Sequence, residues 1–115
     1  MRKITAALLA VLLLTFAAPV TAYAQRQDVL YNRTLTFDGT TAHCGARVVS
    51  GSDEMSITLE FWCGTTRIAS WTKTGTGVVT FSETWPVAKG QTYTLKAHGT
   101  IGGEPFTGAD LSETC

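Results

Sequence analysis

Three cysteines and two histidines give this chain its widest chemical reach: Cys44, Cys63, Cys115, His43 and His98. Cysteine beside histidine can make a nucleophile and its base, several such residues can hold a metal, and two cysteines can form a staple. The spacing argues against the first two. His43 is the immediate neighbour of Cys44, and on a strand adjacent side chains leave opposite faces. The cysteines lie 19 and 52 residues apart, with no CxxC pair and no HxxxH, which is not the spacing of a zinc site or a redox pair. No serine occupies a GxSxG elbow. Asp53 and Glu54 are adjacent, and Glu60 and Glu83 stand singly, so no carboxylate pair flanks a cleft as glycoside hydrolysis needs. The expectation is a protein without catalytic residues, metal or cofactor.

These residues must be carried by strands. After position 25, runs rich in Thr, Val, Ile and aromatics alternate with Gly, Ser, Asp and Pro, which is the rhythm of an all-β domain. Strands are expected over 30–37, 41–50, 54–63, 67–73, 78–85, 91–99 and 105–111, with turns at 50–53 ("SGSD") and 74–77 ("TGTG"). Seven short strands predict an antiparallel β-sandwich of immunoglobulin or fibronectin shape, with a small β-barrel as the alternative.

Alternation then sorts faces. Met55, Ile57, Leu59, Phe61 and Cys63 share one side of the third run, and Glu54, Ser56, Thr58, Glu60 and Trp62 share the other. The apolar set belongs in the core. Trp62 therefore falls on the polar face with Glu60 and Thr58, and these three are the candidate ligand contacts, because an exposed indole can stack on a sugar or a partner protein. The same rule points Ala42, Cys44, Ala46, Val48, Val79, Phe81, Tyr93, Leu95 and Ala97 inward. Trp71 is also expected inward, with Arg67 tolerated at its strand end. His43 and His98 point outward, and Trp85 plugs one end.

The first 24 residues, "MRKITAALLAVLLLTFAAPVTAYA", read as a signal peptide: Arg2 and Lys3, an apolar stretch, then Ala22-Tyr23-Ala24 for cleavage. Residues 25–29 read as a flexible tail and 30–115 as the domain. The expected location is extracellular, with no stable membrane insertion after cleavage. Losing Arg2 and Lys3 leaves seven basic against nine acidic residues. The charges are scattered, so there is no basic stripe for nucleic acid.

In an exported chain one cysteine pair is expected to be oxidised and one thiol left over. Cys44–Cys63 is the first candidate, and it requires the two strands to lie in opposite layers. Cys44–Cys115 is the alternative, leaving Cys63 free. A leftover Cys115 could link two chains into a dimer.

The segments "HCGARVVS", "SITLEFW", "RIASW" and "VAKGQTYTLKAHGT" resemble a group of short exported all-β proteins of Gram-positive (Firmicutes) bacteria with no established activity. The matches fall at Cys44, 56–59, 70–71 and 87–95. The resemblance implies a fold and a location and no catalytic residues. Cys63 and Cys115 depart from its pattern. The functional expectation is a secreted binding or adhesion module for an extracellular glycan or surface protein. The alternative is a secreted effector, such as a small bacteriocin or an enzyme inhibitor working through loop 85–91 or 101–108.

Overall fold

A computed structural model describes residues 29–115; the expected signal peptide (1–24) and residues 25–28 of the expected tail lie outside them. The described chain is all-β and antiparallel. Its strands are β1 (Leu30–Asp38), β2 (Thr41–Cys63), β3 (Thr66–Pro86), β4 (Thr92–Ile101), β5 (Glu104–Thr107) and β6 (Leu111–Thr114). All six belong to one sheet. Strand β3 pairs with β2 along nearly its whole length. On the other side β1 takes the first half of β2 and β4 the second, and β5 and β6 both pair with β4.

The expected second and third strands are thus one, as are the fourth and fifth, while the seventh is split into β5 and β6. The stretches 50–53 and 74–77 are not chain reversals. They adjoin across the β2–β3 ladder, whose register jumps between Val49 and Glu54 so that 50–53 oppose Gly77, while 74–76 pair with 54–56. This is a bulge, which bends the strand that carries it. Ser50 is fully buried there and donates its hydroxyl to Asp53 at 2.8 Å. Gly77, at φ +82°, leaves no room for a Cβ, which would lie 2.8 Å from the carbonyl oxygen of Gly51.

The bend folds the long β2–β3 ribbon onto itself. A straight strand from Trp71 to Trp85 would span roughly 46 Å, yet their rings meet edge to face at 6.2 Å. Lys73 reaches across the same fold to the Thr80 carbonyl at 3.2 Å and to Glu83 at 3.6 Å. One layer contains β1 with the first half of β2 and the second half of β3. The other contains the remaining halves with β4, β5 and β6. The two layers of the expected sandwich are therefore halves of one curled sheet, which also has the character of the barrel alternative. Across the seam from β1, Tyr31 packs on Phe106 at 5.7 Å and Arg33 donates to the Asp110 carbonyl at 3.2 Å.

Every residue assigned inward from strands two, three, five and six is buried, apart from Cys63, which is half-buried. Trp71 and Trp85 are half-buried against that core.

All three cysteines are free thiols. Cys44 and Cys63 do lie in opposite layers, but neither candidate pair is joined. Cys44 sits in the core between Leu35 and Glu83. The Cys63 thiol points to Gln91 Oε1 at 3.9 Å, and that of Cys115 to the Gly39 carbonyl at 3.6 Å. Burial first, and then the charge of Glu83, push the Cys44 thiol up to about 12. In the native protein at pH 8, Ellman's reagent is expected to titrate Cys63 and Cys115 and to reach Cys44 only in denaturant. Rapid native reaction of all three would refute this placement of Cys44. Because the folded pKa exceeds the ordinary 9.0, stability from this group is complete below that value and is lost as pH rises towards the folded one.

Candidate functional site

The outer face of the second layer gathers the polar residues that the inner face cannot accept. Along β2, Thr58, Glu60 and Trp62 point outward, as alternation requires. Thr58 lies opposite Thr72 of β3 and His98 of β4, and Glu60 opposite Ser70 and Lys96. Trp62 lies opposite Arg67 and Thr94.

The position of Arg67 corrects the expectation that it shares a face with Trp71. The β2–β3 register shifts again between Phe61 and Trp62, so Ala69 opposes Phe61 while Arg67 opposes Trp62. Ile68 is the extra residue of this bulge and packs against the core. Beyond it the alternation inverts, bringing Arg67 onto the polar face.

Glu60 is the centre of the cluster. One carboxylate oxygen accepts the Trp62 indole N–H at 3.1 Å. The other meets Arg67 Nη1 at 3.2 Å and His98 Nε2 at 3.3 Å. These groups fold over it, so Glu60, though on an outer face, is nearly buried. Lys96 completes the arrangement, its amine 5.1 Å from the centre of the Trp62 ring and 3.6 Å from Asp110. Around it the face is edged with hydroxyl pairs at 2.8 Å, Thr58 with Thr72 and Thr94 with Ser112. Trp62 is therefore half-buried and capped by a lysine, not a bare exposed indole as the sequence had it.

Burial raises the Glu60 pKa, but hydrogen bonds from Trp62, His98 and Arg67, with the charge of His98, outweigh it and leave it below the ordinary carboxylate value of 4.5. A depressed folded pKa stabilises the fold above the ordinary value, and that stability is lost as pH falls through the folded one. The melting temperature of the wild type is thus expected to drop on acidification below about pH 4.5, and the Glu60→Gln variant should show a shallower drop. Equal slopes in the two proteins would contradict the assignment.

The structure does bring the three predicted contacts together, and adds Arg67, Lys96 and His98. His43 is on the outer face of the other layer, opposite Thr36 and Thr84, far from this cluster in the sheet. The loop at 85–91 is tied down: Val87 donates to the Thr40 carbonyl, Ala88 to the Tyr93 hydroxyl and Gly90 to the Cys115 carbonyl. An open groove of about 550 Å³ at the bend is lined by residues such as Glu54, Ser56, Thr74 and Thr100, and has neither aromatic nor basic side chains. Among the described residues no three of His, Cys, Asp or Glu are grouped to hold a metal, and no helix is long and apolar enough to cross a membrane.

No family model matches the chain, and no curated protein does; the likeness to the Gram-positive group rests on the quoted segments. Among solved structures, the chain is similar to the solution structure of CsgH from R. palustris. The TM-score is 0.49 at 13 % identity, covering 72 % of this chain and 90 % of that one. Likeness at that level assigns no function.

Proposed function

We propose that the protein is an exported, non-catalytic binding module whose contact surface is the outer face of the second layer, and whose ligand is an extracellular glycan or surface protein. One observation carries this reading: a single near-buried carboxylate, Glu60, fixes Trp62, Arg67 and His98 at once. Groups held in place before a ligand arrives lose less freedom on binding, which raises affinity for the same contacts. A lone surface tryptophan would need no such support. The alternative of an inhibitor loop gains no comparable cluster at 85–91 or 101–108.

Co-sedimentation of the purified protein with insoluble cell wall and polysaccharide tests the proposal. The wild type is expected to pellet, and Trp62→Ala to lose binding by about tenfold or more, the scale of a truncated aromatic hot spot. Unchanged melting of the variant would confirm that binding alone was removed. Equal pelleting of the two proteins would refute this face as the contact.

A further inference from the structure

The way Lys96 sits on Trp62 bears on what the ligand must carry. Its amine caps the indole at 5.1 Å, with a weak second contact to Asp110 at 3.6 Å. A neutral sugar has nothing to draw that amine away. A ligand carboxylate does, and the exposed cation–π contact given up is a weak one.

The accessible charge points the same way. The side chains of Arg67 and His98 are 56 % and 49 % exposed, while the Glu60 carboxylate beneath them is 11 % exposed. A ligand therefore meets Arg67, Lys96 and His98 first, with Asp110 beside Lys96. Arg67 and Lys96 are countered by Glu60 and Asp110, but the Glu60 charge lies beneath Arg67 and His98, so the groups turned outward are chiefly N–H donors.

Resting on the binding reading above, we infer that the ligand is an acidic polysaccharide: its carboxylate draws Lys96 off the Trp62 indole and onto itself, and a sugar ring takes the uncovered indole face. The neighbouring hydroxyls of Thr58, Ser70, Thr94 and Ser112 supply donors and acceptors matched to sugar hydroxyls.

Native-gel retardation in polygalacturonate and in its fully methyl-esterified form tests this, since the two polymers differ only in charge along one backbone. The wild type should be retarded by the acid form and not by the ester. Lys96→Gln and Arg67→Gln should each weaken the acid interaction by about tenfold, the weight of one hydrogen bond to a charged group. Arg47→Gln, on the opposite outer face, should change nothing. Retention of both polymers alike would overturn the acidic assignment and leave the binding module standing. Binding to neither, with cell-wall pelleting still dependent on Trp62, would do the same. Equal retention by polyglutamate would show a face that reads charge without sugar, which also overturns the inference. Loss of wall pelleting altogether would remove the underlying reading instead.

Discussion

Replacing Phe61 by alanine is expected to destabilise the domain by about 3–5 kcal/mol. Phe61 is wholly buried, with its ring stacked on Tyr93 at 5.1 Å and 12°. It also lies on the ladder that joins β2 to both β3 and β4, opposite Ala69 and Leu95. Truncation therefore opens a cavity at the middle of the layer that carries the candidate site, and removes an aromatic pair worth about another 0.5–1.5 kcal/mol. Domains of this size have only some 5–15 kcal/mol in total, so the variant should unfold at a much lower urea concentration. A loss below about 1 kcal/mol would mean that the ring is not packed as described, since even milder truncations cost that much.

Gly99→Ala is expected to be as damaging for a different reason. Gly99 lies in β4 opposite Ile57 on one side and Phe106 on the other, at φ +154°. An added Cβ would overlap the carbonyl oxygen of Ser56 and lie 3.0 Å from the Ile57 Cα. Both neighbours are backbone atoms of β2, so no rotamer change can relieve the contact, and the β2–β4 ladder must separate locally. Soluble yield and melting temperature of the variant measure the effect. A melting temperature within a degree or two of wild type would contradict the close approach of β4 to β2; at the scale expected for small domains, a loss of only 1 kcal/mol already shifts it by about 4–8 °C.

What the sequence shows well is set by alternation within a single strand. The faces of 54–63 could be read directly, because Met55 to Phe61 is apolar at every second position with polar residues between. That pattern places Glu60 and Trp62 outside, on the face where Arg67, Lys96 and His98 gather. It could not show that Lys96 covers the indole, because that contact depends on the β2–β4 register, which no local pattern specifies.

The errors come from bulges. Ser50-Gly51-Ser52-Asp53 has turn chemistry, and Thr74-Gly75-Thr76-Gly77 does too. Each alone would reverse a chain. Adjoining on paired strands, with Gly77 opposite 50–53, they form one bend in a continuous ribbon, and only the pairing distinguishes the two cases. Arg67 was assigned to the wrong face by the same kind of feature, one extra residue at Ile68. The run Arg67-Ile68-Ala69 contained a hint, since strict alternation from Trp71 would put Ile68 outside and the arginine inside. The state of the cysteines is not readable either, because the packing around each thiol, and not its place in the sequence, decides what it meets.

The central claim is that the face built on Glu60 is where this protein meets its ligand, and amide and indole chemical-shift mapping during a polygalacturonate titration tests it most directly. The account predicts that the Trp62 indole N–H and the amides of Thr58, Lys96 and His98 shift together. Shifts confined to Thr34, Gly45 and Ser82, which line a groove on the opposite outer face, would contradict it.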